Sequence, residues 1–183
     1  MKVALVYDHV NRIGGAERIL AAFHSIYPNA PLYCSVYNPA TAGWAGDFKI
    51  KTSFLQHIPF AKKFHEFFPG ISYIAMETFD FSGFDIVISV TSAEGKSIVT
   101  GPQTLHICYC LTPTRYLWSH YFDYFDKAWK QFLALPIVSL FRLYDYVVAQ
   151  RPDIMVAISE TVKSRIETYY QRSATVIYPP IEI

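Results

Sequence analysis

The 183-residue chain has little charge of either sign and no excess of one. Charged residues make up 17% of the sequence, and 16 Lys and Arg against 15 Asp and Glu leave a net charge of +1. Such a chain has no overall field that would draw it to nucleic acid, so we expect no nucleic-acid partner. Any basic site must therefore be local. The hydrophobic content of 52% excludes an intrinsically disordered chain.

Cysteines are also few, and they form no regular framework. Cys108 and Cys110 lie two apart on a predicted strand and share a face, which favours small buried side chains for both. With Cys34 the count is odd, which argues against a secreted disulfide scaffold. The apolar run at the N-terminus is too short for a signal peptide. We expect a cytoplasmic protein.

Common catalytic and metal-binding motifs are missing, including G-x-S-x-G, H-E-x-x-H and D-x-D. No two of the six histidines have metal-ligand spacing, so we expect no metal. His106 alternates with apolar residues on a predicted strand and is expected in the core, whereas His9 is the better functional candidate. The uncharged run from Gln131 to Phe141 contains Pro136 and is expected to be too short to span a membrane.

Continuous apolar runs alternate with stretches of helical periodicity, which predicts an α/β, Rossmann-like sandwich around a mostly parallel sheet. Residues 53–79 are predicted to form short helices that break at Pro59 and at Pro69–Gly70, and residues 115–150 to be helical. Ser159 is expected to cap a helix over 160–171. A first helix is predicted over 15–27, and strands over 2–7, 32–36, 48–52, 84–90, 105–110, 154–158 and 174–178.

The end of the chain reads as a strand followed by a stiff Pro179–Pro180 pair. Such a pair is typical of a linker. We therefore expect one domain over residues 1–178 and the start of a linker over 179–183.

Three loops after predicted strands carry candidate binding residues. Gly14 and Gly15, at the start of the first helix, form either an anion cradle or a plain turn. Beyond the fourth strand, residues 91–96 are either a ligand contact or an ordinary solvated turn. Arg115 follows the fifth strand, near a helix that Thr112 is expected to cap, and it binds either a phosphate or carboxylate ligand or an internal carboxylate of Asp8 or Glu17.

A local stretch of lysines and phenylalanines lies between residues 48 and 68. It favours either contact with an anionic lipid surface or solvated lysines beside core phenylalanines. Its members are Lys49, Lys51, Lys62, Lys63, Phe48, Phe54, Phe60, Phe64, Phe67 and Phe68.

The order of these segments resembles glycosyltransferase family 4. The most specific block is HICYCLTPTRYLW at residues 106–118. Four others agree in order: KVALVYDH with GGAE near the N-terminus, TSFLQ at 52–56, FDIVIS at 84–89, and AIS at 157–159 with VIYPP at 176–180. The resemblance covers the whole chain.

The resemblance implies the N-terminal half of a GT-B fold, which holds the acceptor while a C-terminal domain holds the nucleotide sugar. It implies a retaining transferase that uses a UDP- or GDP-sugar, needs no metal and builds polysaccharide, with peripheral contact to the inner face of the membrane. Gly14 and Gly15 would contact the donor diphosphate. The acceptor side would be lined by His9, Asn11, Arg12, Ser92, Glu94, Lys96, Thr112, Arg115 and Tyr116.

Two features depart from the family pattern. Leu111 stands where relatives usually carry a histidine that contacts the transferred sugar. The family's E-x7-E motif belongs to the donor domain, and Glu160 and Glu167 miss its spacing by one residue. We therefore expect little or no transfer by this chain alone, and we leave its catalytic residues open. The competing hypothesis is a non-catalytic module that binds a glycan or a protein.

Overall fold

The fold was analysed in a computed structural model that describes residues 1–11, 14–58, 69–124 and 127–180. These residues form one seven-stranded parallel sheet flanked by helices, which confirms the predicted Rossmann-like sandwich. The strand order is β3-β2-β1-β4-β5-β6-β7. The strands are β1 (Val3–Tyr7), β2 (Leu32–Cys34), β3 (Ile50–Thr52), β4 (Ile86–Thr91), β5 (Leu105–Cys110), β6 (Ile154–Ala157) and β7 (Thr175–Val176).

Apolar side chains on both faces of the sheet explain why its strands read as continuous hydrophobic runs. On β1, Leu5 packs in one cluster with Leu20 of α1 (Ala16–Ile26), whereas Val6 packs in another with Met76 of α2 (Pro69–Glu77). Helix α1 therefore covers one face and α2 the other. The remaining helices are α3 (Tyr121–Tyr124), α4 (Ala128–Val148) and α5 (Glu160–Tyr170).

Helix α2 begins at Pro69, at one of the predicted breaks, because the fixed φ of proline suits a first helical turn, and the residues before it lie outside the described part of the chain. One helix prediction was wrong. Residues 115–120 form turns instead of a helix, so Thr112 caps no helix there. The side chains of Thr114 and Trp118 both bind Asp145, and these tertiary hydrogen bonds replace the helical path that the periodicity predicted.

The prediction for the run after residue 131 was also wrong. Helix α4 has 21 residues, contains Pro136 in its interior and continues past Phe141 to Val148. The window Gln131–Val148 is long and apolar enough to cross a membrane by length and composition. The uncharged run read from the sequence stops before Arg142, but the Arg142 side chain is turned toward the domain, where it donates to the Leu117 carbonyl.

Other predictions were confirmed. Ser159 caps α5, and its hydroxyl accepts a hydrogen bond from the Val162 amide at 3.3 Å. His106, Cys108 and Cys110 are buried as expected; Cys34 is buried too, and the three cysteines are free thiols. Within the lysine and phenylalanine stretch, Phe48 is buried and Phe54 is partly exposed, while Lys51 lies 5.3 Å from the Tyr33 ring. The members between residues 60 and 68 lie outside the described residues, as does the predicted break at Pro59.

Candidate functional site

The candidate site lies where the strand order reverses, between β1 and β4. The chain leaves the central β1 toward one edge of the sheet and β4 toward the other, which opens a crevice at the carboxyl ends of these two strands. Asp8 follows β1, and Thr91 ends β4. Ligands of open parallel sheets bind in this crevice, so its lining residues decide what the domain can hold.

The floor of the crevice is the buried carboxylate of Asp8, which joins β1 to the turn after β4. It accepts hydrogen bonds from the amides of Ser92 and Gly95 at 2.8 and 2.7 Å, and from the Thr91 hydroxyl. The Ser92 hydroxyl donates a further bond at 3.3 Å. These four bonds offset the cost of burying the charge. Asp8 is therefore a structural tie and not an open ligand for a cation.

Gly95 is needed for this tie because the turn approaches the carboxylate closely. A Cβ on Gly95 would lie 3.0 Å from Asp8 Oδ1 and 3.0 Å from the Thr91 Cβ. Any side chain there would push the turn of residues 94–97 away from Asp8. The glycine thus fixes how close this turn lies to the floor of the crevice.

Lys96 points into the protein from the same turn and forms a buried ion pair. Its side chain is 2% exposed, and Nζ lies 2.7 Å from Oδ1 of Asp145 on α4. Nζ also donates to the Thr114 hydroxyl at 3.1 Å and to the Ala93 carbonyl. Burial alone would lower the pKa of Lys96, but the attraction of Asp145 outweighs it, so the pKa is raised and the ammonium stays charged.

Asp145 is the centre of a buried network that joins α4 to α2, to α5 and to the turns after β4 and β5. Besides Lys96, it accepts hydrogen bonds from four neutral donors, each at 2.7 or 2.8 Å. Burial would raise the pKa of its carboxyl, but Lys96 and these donors lower it below its usual value. Asp145 therefore stays ionised although fully buried. The four donors are the hydroxyls of Tyr73, Thr114 and Tyr170 and the indole N–H of Trp118.

Glu94 gives the site a carboxyl group with an altered titration. Burial, and then the nearby Asp8 charge, raise its pKa to about 8. Most of this carboxyl is therefore protonated at neutral pH, where it has an O–H to donate. Burial also raises the pKa of the neighbouring Tyr116, and the Glu94 charge raises it further. Near the buried Asp8 charge, the protein thus places two groups that are mostly neutral at pH 7.

In the glycine loop at the start of α1, a carboxylate of the protein itself binds one of the backbone amides that an anion would use. Glu17 is buried, and its carboxylate accepts a hydrogen bond from the Gly14 amide at 2.7 Å and from the Tyr7 hydroxyl at 3.1 Å. An internal carboxylate thus lies where an anion would meet the helix N-terminus. Gly15 is exposed, and a Cβ there would meet nothing within 4 Å. Of the two described glycines of this loop, Gly15 is the one with open space beside it.

The other predicted residues differ in how they face the crevice. His9, Asn11, Ser92 and Tyr116 are half-buried, and Arg115 is exposed. Thr112 is buried, like Glu94 and Lys96, and its hydroxyl donates to the Pro113 carbonyl at 3.2 Å. Arg12 lies outside the described residues.

Among the described residues, Arg115 forms no ion pair with Asp8 or Glu17, the two internal carboxylates that the sequence left open. Asp8 binds Thr91, Ser92 and Gly95, and Glu17 binds Tyr7 and Gly14. An exposed guanidinium at the edge of the crevice is suited to a phosphate or carboxylate of a ligand.

Sequence reasoning missed the buried network and the role of Asp8 as a tie. Asp145 did leave a signal, because it is an acidic residue within a long apolar stretch and such residues are rarely buried unless paired. Its partner could not be read from the sequence, since Lys96 lies 49 positions earlier in a stretch that resembles a solvated turn.

Among the described residues, no group of three or more His, Cys, Asp or Glu side chains is arranged to hold a metal ion. Comparison of the chain with protein-family models found no match, and comparison with curated proteins found none either.

Proposed function

We propose that this chain is the acceptor-binding N-terminal domain of a retaining glycosyltransferase that moves a sugar from a UDP- or GDP-sugar to a glycan or lipid-linked acceptor. The observation that carries the proposal is the meeting of three loops at the crevice between β1 and β4. These loops begin at Asp8, Thr91 and Leu111, and they contain much of the sequence that resembles glycosyltransferase family 4.

The chemistry of the crevice supports a phosphate- or sugar-bearing acceptor. Arg115 offers a guanidinium that binds a phosphate through two parallel N–H donors. The half-buried Ser92 offers a hydroxyl that suits hydrogen bonds to sugar hydroxyls, and the half-buried Tyr116 adds an aromatic face. Glu94 is buried and mostly protonated at neutral pH, so it adds little negative charge. The Asp8 carboxylate accepts four hydrogen bonds from the protein, so it repels an anionic ligand less strongly than an exposed carboxylate would.

The donor side of the proposal rests on Gly15. With Glu17 already bound to Gly14, we expect this loop to contribute a weak, partial contact to the donor diphosphate. Most of the nucleotide-sugar affinity would come from a C-terminal donor domain or a separate subunit. The chain alone should therefore bind an acceptor but transfer little sugar.

The test is a calorimetric titration of the folded chain with two ligands, a short-chain polyprenyl diphosphate sugar and a nucleotide sugar. We expect the first to bind and Arg115→Met to weaken it at least tenfold, since a charge-assisted bond contributes about 1.5–3 kcal/mol. The matched control Arg165→Met, on α5, should leave binding unchanged. Binding of neither ligand, or no effect of Arg115→Met, would refute the proposal.

A second candidate, a non-catalytic module that binds a glycan or a protein, is favoured by two observations. Leu111 is half-buried and packs against the core, so no polar group stands at this position near the crevice. The Glu17 carboxylate also occupies the glycine loop. This candidate predicts that the complete gene product transfers no sugar and that Gly15→Trp leaves its binding intact, whereas the first predicts that Gly15→Trp abolishes turnover.

A further inference from the structure

Helix α4 is long and apolar, yet most of it is exposed. It has 21 residues and is therefore about 30 Å long. The window Gln131–Val148 has a mean hydropathy of 1.3, yet only 17% of it is buried. A core helix with this composition would have most of its surface covered. This helix leaves most of its surface outside the domain.

The exposed residues of α4 are almost all large and apolar. We call this set the α4 surface: Trp129, Phe132, Leu133, Leu135, Ile137, Leu140, Leu143 and Val147. Trp129 and Phe132 are 60% and 77% exposed, which for aromatic side chains amounts to roughly 300 Å². The six aliphatic members enlarge the patch well beyond the 300–600 Å² that is usual for the largest patch of a monomer.

Both charged residues within the apolar window are directed away from the α4 surface. Asp145 is fully buried in its network with Lys96. The Arg142 guanidinium donates to the Leu117 carbonyl at 2.6 Å and lies over the Tyr121 ring, 4.8 Å from its centroid. Between Phe132 and Val147 the described part of the α4 surface is thus uncharged, although the sequence of this segment is not.

The breadth of the α4 surface favours lipid over a second protein chain. At 100° per residue, the arc from Leu135 through Leu140 to Ile137 covers roughly 200° of the helix circumference. A partner helix packs along a narrow stripe and would leave the flanks of such a convex surface in water. Lipid chains are deformable and cover the whole arc.

We infer that the α4 surface lies in the plane of a lipid bilayer and anchors this domain to the membrane by apolar insertion. The helix does not cross the bilayer, because Val138, Asp145 and Val148 hold its opposite side to the domain. A helix of this kind sinks about 5–10 Å into the boundary between headgroups and acyl chains. Aromatic residues near its N-terminal end, Phe122 and Tyr124 of α3, are exposed beside it and suit that boundary.

This orientation brings the bilayer close to the candidate site. A helix that joins two parallel strands runs against them, so α4 begins near the edge where the strands end. A lipid-linked acceptor would then reach the crevice without leaving the membrane, a consequence that rests on the proposed function. Membrane binding itself does not rest on it, and the experiment below measures binding alone.

The experiment is flotation of the full chain with vesicles of phosphatidylcholine, with and without phosphatidylglycerol, at low and high salt. We expect binding to both kinds of vesicle that survives high salt, because apolar insertion is not screened by ions. Phe132→Ser/Leu140→Ser should lower the partition coefficient at least tenfold. The control Ile26→Ser/Val99→Ser removes two exposed apolar side chains elsewhere and should have no effect.

Two further measurements keep the inference falsifiable if the first variant folds poorly. Leu133→Ser/Leu143→Ser should reduce flotation in the same way, and quenching of tryptophan fluorescence by lipids with brominated acyl chains should disappear in Trp129→Phe. Binding to anionic vesicles only, lost at high salt, would overturn the inference. So would a stable dimer in solution that does not bind vesicles and dissociates in the serine variants.

Discussion

The buried pair of Lys96 and Asp145 makes the sharpest prediction about the stability of this fold. Breaking a buried ion pair by removing one partner costs about 3–5 kcal/mol, because an uncompensated charge remains. Lys96→Met should fall near the lower limit, since Asp145 keeps four neutral hydrogen bonds at 2.7 or 2.8 Å. Asp145→Ala should reach the upper limit, since it strands the ammonium together with those four donors.

The assay is urea unfolding of the folded chain, followed by tryptophan fluorescence, because Trp118 donates directly to Asp145. The control Lys49→Met removes an exposed lysine and should change the free energy of unfolding by less than about 0.5 kcal/mol. Combining Lys96→Met with Asp145→Asn removes both charges. The double variant should therefore lose less free energy of unfolding than the sum of the losses in the two single variants.

The pH dependence provides a second signature of the same pair. In the wild type the pKa of Asp145 is lowered, so the stability it contributes is present at neutral pH and is lost as the pH falls through that pKa. In Lys96→Met the ammonium no longer opposes the effect of burial, so the pKa of Asp145 rises relative to the wild type and the variant gains less stability as the pH rises. The difference between the two proteins should therefore grow with pH. A Lys96→Met variant as stable as Lys49→Met at pH 7 would refute this reasoning.

Three further predictions follow from single contacts. The raised pKa of Glu94 means that its folded form holds a proton between about pH 4.5 and 8, so stability should decline across that range, by on the order of a few kcal/mol, and thermal melts of Glu94→Gln should show a flatter profile. Gly95→Ala should cost about 1–3 kcal/mol in urea unfolding, because its Cβ would crowd Asp8, whereas Gly83→Ala, with open space around it, serves as the control. Ser159→Ala should cost about 0.5–2 kcal/mol through the lost cap, and Ser159→Thr should restore most of it; equal stability of both variants would contradict the capping role.

Much of the fold could be predicted from the sequence because its signals are local. The apolar run ending at Asp8 and the alternation around His106 lie on strands that are buried on both faces, and burial of this kind leaves little choice of residue. The cap at Ser159 depends on a residue three positions away. Such features require no knowledge of the tertiary structure.

The candidate site could be predicted only in outline, because its chemistry depends on distant partners. Ser92, Glu94 and Lys96 occur within five residues, but Ser92 binds Asp8, Lys96 binds Asp145 and only Glu94 has a pKa near neutrality. From the sequence, all three residues were predicted in the same way, as possible ligand contacts of one loop. The structure separates them because their side chains have different neighbours and different burial.

The length of the apolar segment within α4 was underestimated for a related reason. A charged residue in a sequence normally marks the end of an apolar segment, and Arg142 was interpreted in that way. In the structure its guanidinium reaches the Leu117 carbonyl and the Tyr121 ring, so the charge is satisfied on the domain side of the helix. Tertiary hydrogen bonding thus extends an apolar surface past a residue that would interrupt it in an isolated helix.

The attachment of α4 through Asp145 has a consequence for the stability of this domain in detergent. Helices that are held only by apolar contacts lose their attachment in detergent, because detergent chains replace those contacts equally well. Asp145 instead holds α4 to α2 and α5 through the hydroxyls of Tyr73 and Tyr170. Hydrogen bonds strengthen as the surrounding dielectric falls. The hydrogen bonds that attach the helix should therefore become stronger when its surroundings contain less water. We expect mild non-ionic detergents to preserve the fold of the domain.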